Sequence, residues 1–219
     1  MPRTPIKQFN GLRVRIAQVF GVNGQVYSQF KDAFGNPLKG HNGVDLCIGA
    51  DPRQMYGADL NSVCDGSVVY ITGDSPMSTK GNGVYIDTPV YIGSDGKQRF
   101  DRWIYWHLMK VGVTIGQDIK EGQYIGDMGN SGWVNPVPNT SNPYGGTHLH
   151  LGKYPFVLNT NWEYEFASNG FGGATDPLPF LGDLNLPGWT RKNNVLEWIG
   201  ELLEPIRWFI QKIQDAIKK

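Results

Sequence analysis

From Ser67 to Tyr154 the chain runs as short segments rich in β-branched and aromatic residues, with glycine, proline, asparagine or aspartate in every gap. The strand candidates are Ser67 to Thr72 (SVVYIT), Gly83 to Ile92 (GVYIDTPVYI), Phe100 to Leu108 (FDRWIYWHL), Gln123 to Met128 and Thr147 to Tyr154. Gly93-Ser94-Asp95-Gly96 has the turn chemistry to close a hairpin between the second and third. Consecutive short strands with no helical period between them imply an antiparallel sheet system. Composition agrees: 29 Gly, 14 Pro, 7 Trp, 10 Tyr and 10 Phe favour strands and tight turns over a helical bundle. Upstream, residues 12–30 alternate apolar and polar side chains around FGVNGQ, where Asn-Gly predicts an entry hairpin.

The rest of the chain divides by composition. Trp133 to Gly146 (WVNPVPNTSNPYGG) has no usable period and reads as a loop. Residues 161–193 are Gly/Pro-rich and read as a packed tail or linker without regular structure. From Asn194 to Lys219 the character changes: Val195, Ile199, Leu202, Ile206, Phe209, Ile210, Ile213 and Ile217 recur at the spacing of one helix face. Early Glu197, Glu201 and Glu204 and late Lys212, Lys218 and Lys219 suit the helix dipole. With 219 residues, the expected organisation is one catalytic domain over 1–160, the tail over 161–193 and an amphipathic helix over 194–219. The mixed charges of that helix favour packing or self-association over a membrane surface.

Several classes are excluded or disfavoured. Lys+Arg and Asp+Glu both number 20, so no global charge argues for nucleic acid. Cys47 and Cys64 are the only cysteines and form no CxxC pair, which disfavours a thiolate zinc site; the two read as buried thiols rather than a disulfide. The opening MPRTPIKQFNGLRVRIAQVF lacks the apolar run of a signal peptide, and no segment reaches transmembrane length. P-loop, Rossmann and GxSxG patterns are absent.

The chemistry concentrates in four histidines, all within three short segments: GHNGVDL at 40–46, YWHL at 105–108 and GTHLHLG at 146–152. A lone histidine beside apolar residues is usually structural. Here every histidine has that setting, and an aspartate accompanies the first. Side chains at i and i+2 of a strand leave on one face, so His148 and His150 project side by side, one able to grip a metal with the other flanking it. Gly40 and Gly43 allow His41 and Asp45 to turn towards one point. Two imidazoles, a carboxylate and a water make a common catalytic zinc site, since three protein ligands leave a position open.

HNGVD resembles the HxxxD motif, and THLHL the HxH motif, of the lysostaphin-type zinc metallopeptidases, which hydrolyse peptide bonds of bacterial peptidoglycan. YWHL resembles the Tyr-x-His-Leu strand these enzymes carry between the two; DGSVVYI, GNGVYID and GQYIGDMGNSG resemble their core strands and the approach to HxH. The resemblance covers roughly residues 20–155. Each motif alone is weak; in this order the set is specific. The FGVNGQVYSQF…KGHNGVD start is similar to phage-borne members.

The resemblance implies a mainly β antiparallel sandwich with a groove, one zinc held by His41, Asp45 and His150, and His107 and His148 assisting catalysis off the metal. It also implies a peptidoglycan peptide as substrate and the bacterial cell wall as the place of action. Relatives that keep the fold without catalysis normally lack ligands, and all five positions are filled here. Two features depart from the family: the long Trp133 to Gly146 loop, which should form a groove wall, and the C-terminal helix. Of the aromatics able to line a groove, Trp133 and Tyr144 are expected there, whereas Tyr27, Tyr105 and Trp106 are expected to pack in the core or hairpins.

Overall fold

The computed structural model describes residues 4–6, 12–73, 75 and 78–182. The helix expected over 194–219 lies outside these. The described chain is mainly β: β1 (Val14–Gln18), β2 (Val44–Ile48), β3 (Asp59–Asn61), β4 (Gly66–Thr72), β5 (Asn82–Asp87), β6 (Tyr91–Ile92), β7 (Gln98–Val111), β8 (Asp118–Ile119), β9 (Tyr124–Met128), β10 (Leu149–Leu158) and β11 (Tyr164–Glu165). Two single-turn helices, α1 (Gly24–Tyr27) and α2 (Pro52–Met55), and a 3-10 turn at Leu178–Phe180 complete it. The strands form one antiparallel sheet in the order β1-β2-β10-β7-β5-β4-β8, with β11 on β10, β6 and β9 on β7, and β3 on β9.

Alternation along β2, β7 and β10 sorts the side chains onto two faces. Val44, Leu46 and Ile48 of β2, Leu149 and Leu151 of β10 and Trp103 and Tyr105 of β7 are at most 1% exposed and form the core. The opposite face carries Asp45 and Cys47, His150 and Tyr154, and Ile104 and Trp106, in register: His150 pairs with Asp45 on one side and Trp106 on the other. That second face is the floor of a cleft.

Strict alternation would send His107 after Tyr105 into the core. Instead β7 spends three steps, Tyr105 to Leu108, against two in β5, Val84 to Asn82. This bulge places His107 at φ +66°, a left-handed conformation unusual for a side chain with a Cβ. The His107 amide donates to the Lys80 carbonyl at 3.1 Å instead of continuing the ladder. The ring thereby reaches the cleft face.

Three expectations are corrected. Asn23-Gly24 does not turn a hairpin: Asn23 takes the left-handed conformation at the head of α1, and the Val26 and Tyr27 amides donate to its carbonyl. β1 pairs instead with β2, whose apolar side chains offer the core to cover. Gly83 to Ile92 breaks at Thr88-Pro89-Val90, because proline cannot donate to a ladder, and resumes as β6 on β7. The stretch after residue 160 is not free of regular structure, since β11 pairs with β10 and Thr175 bridges Lys153. Ala174 and Leu181 there are fully buried.

Candidate metal centre

The cleft has a volume of about 750 Å3, with the sheet face as floor and the loops around Asn23 to Leu38, Thr79 to Lys80 and Trp133 to Pro136 in its walls. The structure brings His41, Asp45 and His150 together on that floor. His41 Nε2 lies 2.9 Å from His150 Nδ1 and 3.1 Å from Asp45 Oδ1, and His150 Nδ1 lies 3.2 Å from Asp45 Oδ1. The register explains the last contact, because β2 and β10 place Asp45 and His150 directly opposite each other. His41 reaches them from the loop before β2, which Gly43 lets pass: a Cβ at Gly43 would fall 2.6 Å from the Leu151 carbonyl oxygen and 2.7 Å from the His150 ring.

The triangle fits a metal ion. Ligand atoms about 2.0–2.2 Å from a tetrahedral zinc stand roughly 3.3–3.6 Å from one another, a few tenths of an ångström wider than the three separations found. The tautomers agree with that fit. His41 Nδ1 faces the Val19 carbonyl oxygen at 3.2 Å, so the proton belongs there and the Nε2 lone pair points at the Asp45 carboxylate. Two lone pairs facing each other at 3.1 Å repel unless a cation lies between them. Among the described residues His150 Nε2 is buried and meets no hydrogen-bond partner. Burial pushes the His150 ring down to about 4, against the pull of Asp45, so it is neutral at pH 7 and able to coordinate. Burial alone would raise the Asp45 carboxyl, but His148, His150 and His41 together hold it well below the usual carboxylate range. These three residues form a group able to hold a metal.

His107 and His148 stand beside this group, ring centroids 4.6 Å apart, with His148 Nε2 3.6 Å from Asp45 Oδ1. Each directs Nδ1 at a backbone carbonyl oxygen, of Ser131 at 2.8 Å for His107 and of Gly146 at 2.7 Å for His148. The proton on Nδ1 leaves both Nε2 atoms as acceptors. Burial, then His148 and His150, push the His107 ring down to about 3, so it too is neutral at pH 7.

Sequence reasoning placed the five polar residues together but misjudged the aromatics. Trp106 stacks on His150 with centroids 4.8 Å apart and an interplanar angle of 13°, as β-alternation with His150 requires. Tyr27 packs on His41 at 5.1 Å, its hydroxyl accepting from Gln18 at 2.8 Å. Both line the cleft. Tyr105 is in the core as expected, its hydroxyl oxygen accepting from the Val63 amide at 2.9 Å. Trp133 lines the cleft as expected and meets Phe30 edge-on at 5.5 Å, while Tyr144 packs against Tyr56. The carbonyls of Val19, Ser131 and Gly146, which set the tautomers, have no sequence signature at all.

An open cleft with three convergent ligand side chains and two further imidazoles beside them is the arrangement of a metal-dependent hydrolase. Residues 39–156 match the family model described as peptidase family M23, and the chain belongs to that family. It is 30% identical over 141 residues to glycyl-glycine endopeptidase ALE-1 of Staphylococcus capitis, a match covering 64% of this chain and 29% of that protein. The chain therefore spans under a third of the length of that curated relative. Among solved structures it is similar to a zinc-containing peptidase from Vibrio cholerae, with 25% identity over 71% of this chain and 36% of that one at a TM-score of 0.44. It is also similar to the catalytic domain of the antimicrobial peptidase lysostaphin from Staphylococcus simulans, with 24% identity over 75% and 98% of the two chains at a TM-score of 0.40.

Proposed function

We propose that this chain is a zinc-dependent endopeptidase that hydrolyses peptide cross-links or stem peptides of bacterial peptidoglycan, acting at the cell wall. The observation that carries the reading is the triangle of His41 Nε2, Asp45 Oδ1 and His150 Nδ1 with the rings of His107 and His148 alongside. One zinc bound by the three ligands would acidify a water towards a pKa of ~7 and polarise the scissile carbonyl. His107 and His148 supply the proton traffic. Both turn Nδ1 to a carbonyl oxygen, which leaves Nε2 to face the reaction: one ring accepts the proton of the attacking water while the other hydrogen-bonds the developing oxyanion or leaving amine. The Ser131 and Gly146 carbonyls stabilise either ring as it takes up that proton.

The reading is tested by measuring zinc per chain and digesting purified peptidoglycan of several wall types, with mass analysis of the fragments. New amino and carboxyl termini from a zinc-loaded sample, lost on chelation, are the expected result. Intact peptides after exposure to fully zinc-loaded protein would refute it.

A further inference from the structure

The whole chain is charge-balanced, but the cleft is not: Arg15, Lys31, Lys80 and Arg102 line it against Asp32 and Asp45. Asp45 is committed to the metal triangle, and Asp32 accepts from the Phe34 and Asn36 amides of its own turn. Of the cations, Arg102 is paired with Asp87 at 2.7 Å and Arg15 donates to the Gly49 carbonyl at 2.6 Å. Among the described residues neither Lys31 nor Lys80 has a carboxylate within ion-pair distance, and Lys80 differs from Lys31 in that its ammonium rests over the faces of Trp106 at 5.4 Å and Tyr85 at 5.9 Å. Trp106 in turn stacks on His150, so one indole separates this exposed cation from a residue of the metal triangle. The backbone ties it to the same place, since the Lys80 carbonyl accepts from His107 and the neighbouring Thr79 carbonyl from Trp133.

We propose that Lys80 sets substrate class: the cleft takes an anionic peptide, and the Lys80 ammonium pairs with a substrate carboxylate seated beside Trp106. The inference rests on the peptidase reading above and narrows it from any wall peptide to one with a free carboxylate near the scissile bond. A neutral glycyl segment offers this ammonium only carbonyl oxygens, whereas a carboxylate adds a charge-assisted hydrogen bond.

The test uses two soluble peptides identical except that one carries a carboxylate, and the other the carboxamide, on the residue flanking the cleaved bond. Both are offered to the full zinc-loaded chain and to Lys80→Ala, Lys80→Glu, Lys80→Arg and Lys97→Ala. Binding of non-cleavable versions is followed in parallel by tryptophan fluorescence. The wild type should favour the carboxylate peptide in kcat/KM and in Kd by roughly threefold to tenfold. Lys80→Ala should erase the preference, Lys80→Glu invert it and Lys80→Arg retain it, with the exposed turn variant Lys97→Ala like wild type. A preference unchanged in Lys80→Ala, or equal cleavage of both peptides by the wild type, overturns the inference and leaves the peptidase standing. If the zinc-loaded wild type cuts neither peptide nor purified wall, the peptidase reading fails and takes this one with it.

Discussion

His41 Nε2 and Asp45 Oδ1 face each other at 3.1 Å across three residues, with His41 Nδ1 turned away to the Val19 carbonyl, an arrangement that favours the proton on Nδ1 and a lone pair on Nε2. In that tautomer the contact is repulsive without a cation between the two atoms, which links metal and fold. Zinc added to stripped protein should raise Tm, since a ligand at a hundredfold excess over Kd adds about 2.7 kcal/mol. His41→Ala, Asp45→Ala and His150→Ala should each lose both bound zinc and that increment. Full zinc occupancy in His150→Ala would exclude it as a ligand.

His107 and His148 should separate from the ligands by a different signature. Because each hydrogen-bonds to a carbonyl outside the metal triangle, His107→Ala and His148→Ala should retain zinc and lose kcat by about two orders of magnitude or more. Metal content and turnover are to be read on the same samples. Near-normal wall digestion by either variant would remove it from the mechanism.

The bulge that carries His107 to the cleft has its own cost, because a residue with a Cβ at φ +66° is strained. His107→Gly should therefore be more stable than His107→Ala by about 1 kcal/mol, although both lack the imidazole. Denaturant midpoints with matched m-values decide this; equal midpoints would mean the bulge stores no strain at that residue.

The sequence was legible wherever the period was simple. THLHL puts His148 and His150 on one face by alternation alone, and the strands around Val68, Ile104 and Ile125 appear where β-branched and aromatic runs predict them. It was misleading where two periods competed. Trp106 lies on the site face by the same alternation that governs His150, but its apolar character suggested core. His107 reaches that face only through a bulge whose cause is partly Lys80, distant in sequence. Asn-Gly at 23–24 has hairpin chemistry, yet the partner of β1 is β2, and pairing over that range depends on tertiary burial rather than turn propensity.

Gly43 should tolerate no side chain. A Cβ there would meet the Leu151 carbonyl and the His150 ring at 2.6–2.7 Å, and neither can retreat without opening the β2–β10 pairing or turning His150 from the triangle. Gly43→Ala is expected to weaken zinc binding well before it unfolds the chain, visible as a lower zinc affinity at unchanged far-UV circular dichroism. Wild-type affinity in Gly43→Ala would show that the loop relaxes freely.

Cys47 and Cys64 are both buried, and burial raises the Cys47 thiol to about 11. A thiol held protonated and away from solvent is a poor nucleophile. Neither should react with iodoacetamide at pH 8 in the native protein, and both should react once it is unfolded. Rapid labelling of Cys47 in the folded state would mean that the cleft floor opens.

Lys153 of β10 pairs with Asp101 of β7 and touches the tail at Phe180, and one substitution should expose what that pairing contributes. Its ammonium sits 2.6 Å from Asp101 Oδ1 and 4.2 Å from the Phe180 ring centroid, with the two ion-pair side chains only 5% and 15% exposed. Removing one partner of such a pair strands the other charge, and the more deeply buried partner suffers more from being stranded. Asp101→Ala leaves the lysine ammonium uncompensated beneath Phe180 and should cost about 3–5 kcal/mol. Lys153→Met keeps an apolar stem against Phe180 and leaves the less buried carboxylate, which can recover water at its exposed edge, so its cost should be smaller. Since the pair lies on β7 and β10 away from the metal triangle, zinc stoichiometry should stay at wild type in whatever fraction remains folded. Urea unfolding of the two variants checks the order, and a Lys153→Met variant less stable than Asp101→Ala would show that the stranded carboxylate costs more than the stranded ammonium.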